Sequence, residues 1–73
     1  MPTIDVKTDI TGNVWKIEAE IGQALSEDDP IMILESMKME IPVACPEDGT
    51  LVEILVSPED VVTEGTVVAR IEV

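Results

Sequence analysis

Lys38 is the residue whose type and setting most clearly suggest chemistry. It lies between two methionines in the stretch Glu35-Ser36-Met37-Lys38-Met39-Glu40 and is one of only 4 basic residues beside 16 acidic ones. A primary amine can accept an acyl group to form an amide, but an unperturbed lysine amine is almost wholly protonated at neutral pH and is a poor nucleophile. Any reaction of Lys38 as a nucleophile therefore requires activation from outside the residue itself.

The rest of the chain offers little for catalysis. It contains no histidine, tyrosine or phenylalanine, one cysteine and one tryptophan, so neither a Ser-His nor a Cys-His pair can form. The acidic run Glu27-Asp28-Asp29 directly precedes Pro30, which favours a solvated turn over a metal site because no further ligands follow at useful spacing. We expect a chain that is not an enzyme by itself and that binds no metal.

Length and charge narrow the class of protein further. The 73 residues allow one small domain over positions 1–73, and a net charge of -12 disfavours nucleic acid and anionic membrane surfaces as partners. Residues 1–5 lack the features of a secretory signal, and no apolar run approaches the roughly 20 residues of a membrane span. Cys45 has no partner for an internal disulfide, which favours a reducing compartment. These features predict a cytoplasmic protein.

Short β-rich segments separated by turn residues predict an all-β domain. The clearest strand signals are Val14–Ile17, Gly49–Val56 and Thr66–Val73. Eight short strands of this kind are typical of a sandwich or flattened barrel. Residues 30–41 are ambiguous, because their apolar positions also fit helical spacing and Pro42 would end a helix.

An internal repeat favours a strand over residues 30–41. Moving the sequence by 37 positions, which places Gly12 on Gly49, also matches apolar positions without a gap: Val14 with Leu51, Ile17 with Ile54, Ile31 with Val68 and Leu34 with Ile71. Glu59 on Gly22 and Arg70 on Ile33 are clear mismatches. Residues 31–36 fall on residues 68–73 of the β-branched segment 67–73, so we expect them to form a strand. Each half of the chain then contributes four strands.

The link between the two halves becomes a hairpin. Pairing Ser36 with Met39 leaves Met37 and Lys38 as a two-residue loop, in which one or both residues must adopt a positive φ. Glycine and asparagine suit such positions, and a larger residue there costs on the order of 1 kcal/mol. Because stability does not favour this turn, we expect a functional reason for it. The repeat also predicts that the chain termini lie at the opposite end of the domain from Lys38.

Residues 35–40 resemble the attachment motif of biotin carboxyl carrier proteins, in which Ala or Ser is followed by Met, Lys and Met. The resemblance extends from about Asp5 to Val73. Residues 12–16 resemble the family's first-strand Gly-x-Val-x-Lys, and residues 46–51 resemble its Pro-x-x-Gly-x-Val. Ile10-Thr11 before Gly12 departs from the usual Met-Pro, and Pro58-Glu59-Asp60 replaces a Gly-Asp turn.

The resemblance implies a fold and a function. The fold is a flattened barrel, a sandwich of two four-stranded antiparallel sheets with a pseudo-two-fold repeat and the attachment lysine on a β-hairpin. The function is that of a carrier, with biotin joined to Lys38 through an amide by a biotin protein ligase. The biotin would accept CO2 at a biotin carboxylase and deliver it at a carboxyltransferase. Met37 and Met39 would supply flanking recognition surface, and the hairpin would be supported by Glu35, Ser36 and Glu40.

Two other functions remain open. A lipoyl carrier resembles a biotin carrier in fold, but lipoyl domains usually have Asp before the lysine and Ala, Val or Ser after it, whereas Lys38 has methionine on both sides. Attachment of both biotin and lipoate is conceivable. The third hypothesis is an acidic interaction module with an unmodified Lys38. For two single residues we expect structural roles, with Trp15 partly buried as a packing residue and Cys45 inert and partly buried.

Overall fold

The fold consists of short β-strands joined by turns. A computed structural model of the chain describes residues 2–73. The strands are β1 Thr3–Lys7, β2 Gly12–Ile17, β3 Ala24–Leu25, β4 Pro30–Ser36, β5 Met39–Ala44, β6 Gly49–Ile54, β7 Val61–Val62 and β8 Val67–Glu72. Residues 30–41 are therefore extended, as the repeat predicted. From residue 2 to residue 73, no helix is long and apolar enough to cross a membrane.

The eight strands form two four-stranded sheets in which every pairing is antiparallel. The strand order is β5-β4-β2-β7 in one sheet, which we call the lysine sheet because β4 and β5 flank Lys38. The order is β1-β8-β6-β3 in the other, which we call the terminal sheet because β1 and β8 lie at the two chain ends. The predicted flattened barrel of two four-stranded sheets is confirmed.

The core lies between the sheets and is almost wholly aliphatic. Its largest fully buried side chains are Ile31, Met32, Leu34, Leu51, Ile71, Val14, Val68 and Cys45. Burying each large aliphatic side chain contributes about 1.5–3 kcal/mol. Because successive side chains of a strand point to opposite faces, these residues form the inner face of each sheet and pack the two sheets together. Trp15 does not join them. The residue is 46% exposed, so it is partly buried, as expected, but lies outside the core.

The two halves of the chain have the same backbone path. Strands β2 and β6 begin at Gly12 and Gly49, and each has an irregularity in its pairing after the third residue. Glu59 and Gly22 differ in residue type but have the same backbone conformation, because both have a positive φ, 77° and 91°. Their backbone N–H groups donate to equivalent carbonyls of the opposite half, Glu59 to Val14 and Gly22 to Leu51.

Cys45 is the counterpart of a threonine in the first half. The repeat places it on Thr8, and both side chains donate over 3.0 Å to the carbonyl two residues later, that of Glu47 and that of Ile10. Cys45 is 1% exposed, more deeply buried than expected. Burial raises the pKa of the Cys45 thiol, which disfavours the reactive thiolate and supports an inert role.

Residues 2 and 73 come together at one end of the barrel. Thr3 pairs with Glu72, and the Val73 N–H donates to the Pro2 carbonyl over 3.0 Å. The repeat makes Pro2 and Val73 the counterparts of Met39 and Ser36, which flank Lys38. Because the pseudo-two-fold exchanges the two ends of an elongated molecule of 36 × 17 × 17 Å, the termini lie at the end opposite the lysine hairpin, as predicted.

Candidate functional site

The link between β4 and β5 is a two-residue turn with Lys38 at its tip. Ser36 pairs with Met39, and Met37 and Lys38 have φ values of 50° and 66°. Positive φ at both central positions is the signature of a type I′ turn, whose twist matches that of the flanking strands. The predicted hairpin is confirmed. Met37 and Lys38 each adopt a backbone conformation that costs roughly 1 kcal/mol for a residue other than glycine.

The side chains at the tip project into solvent. Met37 is 90% exposed, Met39 is 59% exposed, and Lys38 is exposed as well. Ion pairs in the described part of the chain are made by Lys16 and Arg70, and Lys38 takes part in none of them. The Lys38 amine is thus open to an enzyme, and the surroundings leave room for a group attached to it.

A pair of like charges lies at the base of the hairpin. Glu35 and Glu40 are direct cross-strand partners and both are exposed. Such a pair is destabilising by a few tenths of a kcal/mol, and no ion pair within residues 2–73 compensates it. The predicted support residues Glu35, Ser36 and Glu40 therefore do form the hairpin stem, although the two glutamates add no electrostatic stability.

Gly12 sets the position of the hairpin stem. A Cβ atom at Gly12 would lie 2.5 Å from the carbonyl oxygen of Glu35 and 3.3 Å from the Cβ of Ser36. Only a glycine therefore lets β2 approach β4 this closely beneath the turn. The sequence indicated Gly12 as part of a motif but gave no reason for it. Its counterpart Gly49 makes the same kind of approach, 2.7 Å from the Glu72 carbonyl oxygen at the opposite end.

Two groups outside the hairpin have raised pKa values. Hydrogen bonds to Glu53 and Asp5, 2.6 and 2.9 Å long, raise the pKa of the Arg70 guanidinium on the terminal sheet. The buried Cys45 thiol lies just beyond the far end of β5. Active sites are where shifted pKa values tend to cluster. What the lysine hairpin offers instead is an exposed amine on a rigid support.

Comparison with known proteins identifies the family. A family model described as "Biotin-requiring enzyme", for biotin and lipoyl attachment, matches residues 1–71. The chain belongs to the biotin/lipoyl attachment family. A relative of similar size is the "Biotin/lipoyl attachment protein" of Bacillus subtilis (strain 168), 35% identical over 66 residues that cover 90% of both chains.

Other members of the family are parts of large carboxylases. The chain is 36% identical over 67 residues to the "Biotin-dependent acyl-coenzyme A carboxylase alpha3 subunit" of Mycobacterium leprae (strain TN), covering 92% of this chain but 11% of that subunit. The crystal structure of the Kluyveromyces lactis urea carboxylase matches 99% of this chain with a TM-score of 0.93 and 30% identity, over 6% of its own length. The chain thus corresponds to a small part of these carboxylases and to nearly the whole of the Bacillus subtilis attachment protein.

Proposed function

We propose that this chain is a biotin carboxyl carrier that a biotin protein ligase modifies at Lys38. The observation that carries the proposal is the exposed, unpaired Lys38 at the tip of a strained I′ turn, between two exposed methionines. A turn built from glycine or asparagine would be more stable, so this choice of residues favours a role in recognition. Met37 and Met39 provide adaptable apolar surface that several enzymes can contact in turn.

The attachment step requires an activated form of biotin. The Nζ of Lys38 would attack the carbonyl carbon of a biotinyl acyl phosphate held by the ligase, so that a C–N bond forms and the C–O bond to phosphate breaks. The phosphate leaves with the electron pair, and the amine gives up one proton to a base on the ligase. The ligase must supply both groups, because the catalytic pairs that would activate the amine are missing from the composition of this chain.

Once attached, biotin supplies the ureido nitrogen that takes up CO2 at a biotin carboxylase and releases it at a carboxyltransferase. The chain itself would be a cytoplasmic carrier rather than a catalyst. Its contribution is to hold the attachment point at one tip of a rigid barrel 36 Å long, with a linker or neighbouring domain accommodated at the other. Such tethering gives an attached group an effective concentration in the mM range at a docked active site.

Intact mass after co-expression with a biotin ligase tests the proposal. Wild type should gain the mass of one biotinyl group, and Lys38→Arg should gain none. Lys7→Arg and Lys16→Arg are the matched controls, because they replace the other two lysines, and both should be modified like wild type. A wild-type chain that stays unmodified, or a Lys38→Arg variant that is still modified, would contradict the proposal.

Lipoate is the second candidate for Lys38, because the Bacillus subtilis relative is named for both groups. The methionines on both sides of Lys38 favour biotin. Parallel co-expression with a lipoate ligase separates the two: lipoylation without biotinylation would reverse the assignment, and modification by both ligases would make the chain a dual attachment protein.

A further inference from the structure

The outer face of the terminal sheet carries a network of two ion pairs. Arg70 on β8 lies between Asp5 on β1 and Glu53 on β6, as the strand register requires. Its guanidinium contacts both carboxylates, at 2.9 and 2.6 Å. One cation therefore bridges carboxylates on the two neighbouring strands across this face.

The equivalent row on the lysine sheet is different in kind. The repeat places Ile33 on Arg70, Pro42 on Asp5 and Lys16 on Glu53, and the register confirms that Ile33 lies between Pro42 and Lys16. Lys16 forms an ion pair with Glu18, two residues later in the chain, with 3.0 Å between Nζ and Oε1. The same Nζ lies 4.5 Å from the centroid of the Trp15 ring. No ion pair thus crosses the described strands of this face.

The same asymmetry extends to the neighbouring positions. Trp15, 46% exposed, lies where the terminal sheet has Val52, which is also exposed at 38% but smaller, and Val61, 72% exposed, lies where the terminal sheet has the smaller Ala24. We call the set Trp15, Ile33, Pro42 and Val61 the apolar face. At each of its four positions the terminal sheet carries a charged or a smaller side chain. Since the two sheets share one backbone plan, the backbone gives no reason for this difference.

The border of the apolar face is acidic. Glu40 lies beside it on β5, where the terminal sheet has Thr3. Glu59 and Pro58, with Trp15 and Asn13, line an adjoining hollow of about 510 Å³ that a partner's side chain could fill. Neither Glu40 nor Glu59 is paired with a cation in the described part of the chain. An apolar surface flanked by arginine or lysine is the complement of this face.

We propose that the apolar face is the docking surface for the biotin protein ligase, which presents apolar side chains to Ile33 and Pro42 and cations to Glu40 and Glu59. This proposal rests on the proposed function of Lys38. The face belongs to the strands that carry the lysine, so a partner seated on it lies against the hairpin, whereas the terminal sheet is occupied by its own ion pairs.

The short length of the unmodified lysine side chain favours the ligase over the other enzymes that would act on Lys38. An unmodified lysine side chain extends only about 6 Å beyond its Cα, so the enzyme that acylates it must approach the stem. The Ile33–Pro42 pair is three residues along the strands from Ser36–Met39, or about 10 Å at roughly 3.3 Å per residue. A partner surface of about 800 Å² has a radius of roughly 16 Å and would cover that pair. A carboxylase meets the longer biotinylated arm and can remain farther away.

Substitutions on the apolar face test the proposal, and two of them introduce the residue that the terminal sheet has at the equivalent position. We expect Ile33→Arg and Trp15→Val each to lower kcat/KM for biotinylation by a purified ligase about tenfold, through a higher KM with little change in kcat. Val61→Glu alters a side chain that contributes nothing to the core and should also raise KM. The matched controls are Arg70→Ile and Val52→Ala on the terminal sheet, which should leave both constants unchanged. Far-UV circular dichroism establishes that each variant is folded.

Three results would overturn the proposal. Unchanged kcat/KM in all three folded lysine-sheet variants would show that the ligase does not use the face. An equal loss in Arg70→Ile and Val52→Ala would show that the effect is general. Normal charging followed by slower carboxylation would assign the face to the carboxylase instead of the ligase. If wild type is never biotinylated, the proposed function itself fails, and this assignment fails with it.

Discussion

Gly12→Ala should destabilise the fold and displace the lysine hairpin. The added Cβ would lie 2.5 Å from the Glu35 carbonyl oxygen, and real Cβ contacts stay above 3.0 Å, so at least the 0.5 Å difference must be taken up by movement of β2 against β4. Both strands are held by backbone pairing, so no side-chain rotation relieves the contact. Such overpacking costs about 1–3 kcal/mol. In a domain this small, each kcal/mol lowers Tm by about 4–8 °C, so a fall of roughly 5–20 °C is expected.

Thermal unfolding followed by far-UV circular dichroism measures the first effect, and the biotinylation rate at a temperature where the variant is folded measures the second. Gly49→Ala is the matched control, because its Cβ would lie 2.7 Å from the Glu72 carbonyl oxygen at the opposite end of the barrel. We expect the two variants to lose similar stability. Only Gly12→Ala should slow biotinylation of folded protein, since only Gly12 contacts the stem of the lysine hairpin.

Two results would refute this reasoning. A Tm of Gly12→Ala within a degree or so of wild type would mean that the close approach of β2 and β4 imposes no steric constraint. Equal slowing of biotinylation in Gly49→Ala would mean that the loss follows general destabilisation and not the position of the hairpin.

Three further predictions concern single residues. Met37→Gly should raise the free energy of unfolding by about 1 kcal/mol, because φ is positive there, yet slow biotinylation; an unchanged rate would show that the methionine is incidental. Glu59→Gly introduces the residue that the repeat has at the equivalent position, Gly22, and should also stabilise the fold by about 1 kcal/mol. Chemical denaturation measures this change, and a loss of stability would show that the Glu59 side chain contributes to the turn. Cys45→Thr should change stability by less than about 1 kcal/mol, because Thr8 makes the equivalent hydrogen bond. The folded chain retains the Cys45 proton to higher pH than the unfolded chain, so the free energy of unfolding of wild type should fall as pH rises through the ordinary thiol pKa of 9.0. The Cys45→Thr variant has no thiol and should lack that component of the fall. Identical pH profiles of stability in the two proteins would contradict a buried thiol.

Local patterns in the sequence were sufficient to predict the fold and the geometry of the lysine turn. Turn residues and β-branched runs predicted the eight strands, and the repeat resolved the ambiguous residues 30–41. Pairing Ser36 with Met39 then predicted the two-residue turn and the positive φ that the structure confirms at Met37 and Lys38. These features depend on residues close in sequence, or on a fixed spacing, and can therefore be predicted without knowing which strands meet.

Other features depend on contacts between distant strands, and only the tertiary structure decided them. The φ of Glu59 matches that of Gly22 because its N–H must reach the Val14 carbonyl on another strand, a demand that residue type does not reveal. Trp15 is exposed because it alternates with the buried Val14 along β2, and the packing of the two sheets decides which face of β2 is buried. The contrast between Arg70 and Ile33 became informative only through register, which places one between two carboxylates and the other beside Pro42.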